Sequence, residues 1–137
     1  MSIELRSLGI LSDPDVYDDL ANYRFEMDAL CGGIARKDRE RIVTYLRSGV
    51  IALAIMDYRR DVLHNRFGVT DGSAIQTDGT YYWRYDTAWY VEEYGISLPY
   101  AFLGHAEELQ WRVPALTDER VLEIATYLDT LLRRQPD

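Results

Sequence analysis

The chain predicts an α+β fold: a helix-rich single domain with a small antiparallel sheet packed against helices on one face. Three observations carry that prediction. The dipeptide Asp78-Gly79 sits between two short segments, Ser73 to Thr77 and Thr80 to Arg84, which is a strong local hairpin signal. Helical spacing of apolar residues, with start and stop residues in place, recurs on both sides of that hairpin. The chain has 137 residues, 47% hydrophobic and 28% charged, which suits one globular domain with a real core.

The elements follow in order. The first ten residues read as a short extended arm or edge strand. Ser12-Asp13-Pro14 predicts a helix start, because an acidic cap precedes a proline at the first helical position. Val16, Leu20, Tyr23, Met27 and Leu30 then follow helical spacing, and Gly32-Gly33 closes the segment. A second helix is predicted from about Ala35 to Arg47, with Ile42, Val43 and Leu46 inward. Val50 to Met56 is short and apolar and follows a glycine, so it reads as a buried strand. Between Asp57 and Thr70 the pattern is ambiguous, with one or two helical turns possible over Arg59 to Asn65. After the hairpin, Asp86 caps a helix that runs through Tyr94 and stops at Gly95. Ile96 to Pro99 is an extended connector, and Tyr100 to Gln110 a further helix. Thr117-Asp118-Glu119 opens a C-terminal helix with Val121, Ala125, Leu128 and Leu132 on one face.

Composition narrows the function. Acids outnumber bases 23 to 15, for a net charge of −8. A general nucleic-acid binder needs a basic face, and so does a binder of anionic membranes, so neither is expected. One cysteine, Cys31, excludes an internal disulfide and a multi-cysteine zinc site. Met1 to Arg6 carry no basic leader before an apolar run, and no run approaches the ~18 apolar residues of a membrane span. A cytoplasmic location is therefore expected.

No catalytic constellation stands out, so the expectation is a non-enzyme without metal or cofactor. Glu92-Glu93 and Glu107-Glu108 are adjacent pairs whose carboxylates diverge by about 100° on a helix. His105 has Glu108 three positions on, but further metal ligands are missing. Asp13, Asp15, Asp18 and Asp19 crowd one helix start, where they complement the helix dipole or form an acidic patch. Tyr81, Tyr82, Trp83, Tyr85, Trp89, Tyr90 and Tyr94 fall within fourteen residues. Tyr81 and Trp83 share one strand face and Tyr82 takes the other, so the core cannot be approached from a single side by all of them.

The residues Thr77-Asp78-Gly79-Thr80-Tyr81-Tyr82-Trp83, Asp86, Tyr90-Val91-Glu92, Tyr94, Leu98-Pro99, Phe102 and His105 form the pattern TDGxYxWxxDxxxYVExYxxxLPxxFxxH. It resembles small bacterial proteins of toxin–immunity loci. The resemblance spans about Ser73 to Glu108, consists of scaffold residues, and marks no catalytic group. What it implies is an immunity protein that binds a cognate toxin and occludes its active site. The expected contact residues are Tyr81, Trp83, Tyr85 and Trp89 as anchors, with Asp15, Asp18, Asp19, Glu92 and Glu93 supplying charge. The alternatives are a small ligand-binding domain or enzyme with an aromatic pocket, and a homo-oligomeric regulatory module; a homodimer is compatible with the first reading too.

Overall fold

The computed structural model describes residues 4–13 and 19–132. The strands β1 (Arg6–Ser7), β2 (Val50–Leu53), β5 (Ile75–Thr77) and β6 (Tyr81–Arg84) form a four-stranded sheet in the order β1-β6-β5-β2. The β5–β6 hairpin lies at its centre, with Thr77 opposite Tyr82 and Ile75 opposite Arg84. A second, two-stranded sheet pairs β3 (Tyr58–Arg60) with β4 (Gly68–Thr70). The helices are α1 (Leu20–Leu30), α2 (Arg36–Arg47), α3 (Thr87–Tyr94), α4 (Tyr100–Glu108) and α5 (Asp118–Leu132). The α+β class stands.

The hairpin turn is built by Asp78. One carboxylate oxygen accepts from the amides of Thr80 (2.9 Å) and Tyr81 (2.8 Å). Gly79 takes φ +97°, a conformation L side chains rarely adopt, so the Asp-Gly pair suits the tight reversal. Strand alternation then divides the aromatics. Tyr81 and Trp83 enter a core with Tyr45 and Leu46 of α2, Ala88 and Val91 of α3, and Phe102 of α4. Tyr82 and Ile75 point the other way, onto Ile124 and Leu128 of α5.

Several expectations need correction. Helices cover both faces of the sheet, so it has a layer on each side. The sheet is mixed, because β1 runs parallel to β6. The helix start expected at Asp13-Pro14 leads into residues 14–18, which lie outside the described residues; Ser12 ends a 3-10 turn over Gly9–Ser12. Its hydroxyl accepts from Leu8 N at 2.7 Å and donates to Tyr82 O at 2.6 Å, so it serves the sheet. Within the described residues the first α-helix starts at Leu20, capped by Asp19, whose carboxylate accepts from Asn22 N. The segment Asp57–Thr70 carries a hairpin in place of helical turns. Val50–Met56 yields only a four-residue edge strand, with Ile51 exposed. Helix α5 is rolled from its expected face: Ile124 and Leu128 are fully buried, while Val121 and Ala125 are half-buried.

Asp86 precedes α3 as expected, but its side chain makes no cap bond. It is turned to Arg84 instead. Arg84 is fully buried; its Nε donates to Asp86 Oδ1 at 2.9 Å and its Nη1 to Ile10 O and Asp13 O, each at 2.9 Å. Its Nη2 donates to the Tyr23 hydroxyl of α1. One guanidinium thus joins β6, the start of α3, α1 and the N-terminal segment. Burial alone would discharge it, but Asp86 and Tyr23 outweigh that and hold it charged.

Removing one partner of a buried ion pair leaves the other charge unpaired. Arg84→Ala is therefore expected to lower stability by about 3–5 kcal/mol in urea denaturation. Arg84→Lys recovers only part, because one ammonium cannot span the same four acceptors. A lysine variant as stable as the wild type would refute this account of the junction.

Candidate functional site

The expected contact residues are not brought together. Trp83 and Tyr81 are buried among helices and are withdrawn from any docking surface. The reason is local: Trp83 donates Nε1 to Leu46 O and Gln76 Oε1 (3.3 Å each), which ties it between α2 and β5. Asp15 and Asp18 lie outside the described residues. Asp19 is exposed and engaged as the cap of α1. Tyr85, Trp89, Glu92 and Glu93 do share the α3 side of the molecule, with Tyr85 and Trp89 half-buried and 5.2 Å apart.

That α3 face is already answered from within the chain. The Arg47 guanidinium lies 4.7 Å from the Trp89 ring and 3.4 Å from Glu92. Arg66 lies 5.3 Å from the Tyr94 ring and 3.4 Å from Glu93. Both carboxylates thus face an arginine of their own molecule, which reduces the field they present to a partner.

A second surface forms around the hairpin tip. Asp78 Oδ2 accepts from the Tyr45 hydroxyl at 2.5 Å, and His105 Nε2 of α4 lies 3.4 Å away without completing a hydrogen bond. Leu116 closes over Gly79, so that a Cβ there would meet its methyl at 3.0 Å. His105 and Leu116 therefore pin the end of α4 and the start of α5 to one tip. Glu107 and Glu108 stand within one turn of His105, and Asp118 and Glu119 within three residues of Leu116. All four are exposed, and none has an ion pair among the described residues. At the other end of α4, Tyr100 is 92% exposed. Tyr100, Gly104 and Glu108 follow one another at i, i+4 spacing, so they share a stripe. Tyr100 and these carboxylates are absent from the expected contact set; the i, i+4 stripe after Pro99 is a sequence signal that joins Tyr100 to Glu108, while Glu107, Asp118 and Glu119 lie off it.

Other features are structural or open. Tyr94 donates to Asp61, and Asp61 also accepts from Leu63 N and Arg66 N at 2.8 and 2.9 Å. The Tyr90 hydroxyl accepts from Val62 N at 3.0 Å. These bonds clamp the β3–β4 loop onto α3. A groove of about 370 Å³ is lined by Lys37, Glu40, Arg41, Thr44 and Trp111, and a cleft of about 430 Å³ by residues including Ser7, Ser12, Asp13 and Tyr82. Among the described residues no cluster of three or more His, Cys, Asp or Glu is placed to hold a metal ion, and no helix is long and apolar enough to cross a membrane. No family model, curated protein or solved structure matches the chain.

Burial raises the phenols of Tyr23, Tyr45, Tyr90 and Tyr94 above their ordinary value of 10.0, with the bonds to Asp78 and Asp61 adding to the rise at Tyr45 and Tyr94. The unfolded chain therefore releases protons that the folded chain keeps. This contribution to stability is whole below pH 10.0 and is lost as the pH climbs above it. Unfolding free energies in urea, measured from about pH 8 to about pH 11, are expected to fall past the tyrosine range. Tyr45→Phe should make that fall shallower, and at neutral pH should cost about 1–3 kcal/mol because buried Asp78 loses a donor. A pH profile that stays flat through the tyrosine range would contradict the assignment.

Proposed function

We propose that the chain is a protein-binding inhibitor of the immunity type, and that it docks a basic partner on the α4 side of the hairpin tip. The observation that carries this reading is the contrast between its two acidic faces. Glu92 and Glu93 on α3 are matched by Arg47 and Arg66, whereas Glu107, Glu108, Asp118 and Glu119 are left to solvent. Uncompensated carboxylates on a chain of net charge −8 attract a cationic surface and speed encounter. Tyr100 supplies an exposed aromatic beside them, the kind of residue that dominates residence time once desolvated. A toxin whose active site is basic is the partner class that this chemistry fits, and covering that site is the mode of action.

The test is to search the genes flanking this one for a toxin domain and to co-express it with this chain, read as growth, followed by binding kinetics on the purified pair; the absence of such a gene counts against the reading. Wild-type chain should restore growth. The double variant Glu107→Lys/Glu108→Lys should slow association and flatten its salt dependence while leaving dissociation nearly unchanged. Tyr100→Ala should speed dissociation by about tenfold or more. Trp89→Ala is the comparator for the α3 face. If it alone abolishes binding, the contact surface is α3; if growth is not restored by the wild type, the inhibitory reading fails altogether.

A further inference from the structure

The four-stranded sheet ends at β2. One side of β2 pairs with β5. Among the described residues, no backbone group pairs with its other side. An open edge of this kind presents unpaired N–H and C=O groups, and proteins commonly blunt it with charge or proline. From Ser48 to Met56 there is neither. Two large apolar side chains on this stretch face solvent, Ile51 at 47% exposure and Met56 at 91%. A register irregularity between Ile51 and Leu53 shortens the regular ladder, so any pairing here makes few bonds.

We propose that β2 pairs with β2 of a second copy of this chain, antiparallel about a two-fold axis, and joins two four-stranded sheets into one. Charge selects the occupant. Two copies each carrying −8 repel wherever their acids meet, so they approach most readily through uncharged surface, and this strand carries no charged residue from Ser48 to Met56. The same neutrality gives a basic partner nothing to recognise there. Geometry agrees: a two-fold axis sets like strands antiparallel, and an isologous contact places Ile51 and Met56 of each copy against the same apolar edge of the other. A strand of four residues supports a weak, concentration-dependent dimer in the micromolar-to-millimolar range, well below an obligate assembly. The proposal does not rest on the inhibitory reading, since it is measured on this chain alone.

Sedimentation equilibrium of the full chain, from about 1 µM to about 1 mM, tests it. The expected average mass climbs from the monomer toward twice that value, and amide exchange across Val50–Leu53 slows as the dimer fills. Ile51→Lys, at an exposed position, should weaken dimerisation at least about tenfold while far-UV circular dichroism stays that of the wild type. Leu122→Lys, on the 67% exposed outer side of α5, should leave it unchanged. A wild-type chain that stays monomeric over the whole range overturns the proposal. So does a dimer that Ile51→Lys leaves intact, or one that Leu122→Lys abolishes, because its contact would lie elsewhere. A dimer without slower exchange in β2 has the same consequence.

Discussion

The buried Arg84 guanidinium is the constraint on which the rest of the arrangement depends. It lies at the end of the central hairpin, where the chain leaves β6 for α3. Its four acceptors come from Asp86, Tyr23 and two main-chain carbonyls of the N-terminal segment. A charge taken out of water is tolerated only when its donors are met, so these segments must converge in one geometry. Neighbouring bonds point the same way. Ser12 donates to Tyr82 O, and Thr87 donates to Leu11 O at 3.3 Å. The N-terminal segment buries Leu8 and Leu11 in the core, and these polar ties fix where it crosses the sheet.

The same economy of polar ties accounts for many of the eleven tyrosines. Tyr23, Tyr45, Tyr90 and Tyr94 are buried residues whose rings fill core space while their hydroxyls reach a polar group on another element. Tyr45 joins α2 to the hairpin tip through Asp78. Tyr90 and Tyr94 join α3 to the β3–β4 loop. Phenylalanine fills a comparable volume but leaves Asp78 or Asp61 short of a donor in a place water cannot easily reach. The richness in tyrosine therefore describes internal cross-bracing at these four positions, whereas Tyr100 stands exposed at the surface.

What the sequence discloses divides by range. The Asp78-Gly79 turn, the stop at Gly95 and the span of α2 are legible because each depends on a few adjacent residues. Gly95 has φ +60°, and a Cβ there would lie 2.8 Å from Ile34 O, so the helix stop is also a close approach to the start of α2. The β3–β4 hairpin is illegible because three-residue strands hold too little alternation to read, and its loop is set by tyrosines some thirty positions away. The contact residues fail for a related reason. Tyr81 and Trp83 share the strand face that α2, α3 and α4 cover, a convergence of elements distant in sequence, and α5 from the far end of the chain covers the Tyr82 face. Ion pairing across 45 residues, Arg47 with Glu92, is equally invisible to local pattern, and it changes which acids remain available.

Those long-range effects also determine how rigid the α4 surface is. Helix α4 buries Phe102 and Ala106 completely, so its inner side is fixed against the hairpin core. Its C-terminal end is held in an unusual way: Gln110 and Trp111 both have positive φ, +56° and +59°, with no glycine between them. Such residues cost about 1–3 kcal/mol each and persist only where packing over-determines them. Here Trp111 N donates to Ala106 O at 2.8 Å, its ring meets Tyr45 edge-on at 6.1 Å, and Arg41 lies 4.9 Å from its face. The turn after α4 is thus locked onto the same Tyr45 that braces Asp78 at the hairpin tip. A surface anchored at both its helix and its following turn would lose little freedom on docking the proposed partner, so more of the interaction energy would appear as affinity. The strained tryptophan, the Tyr45–Asp78 bond and the exposed acids of α4 accordingly belong to one arrangement, in which internal bonds set the shape that the outer residues present.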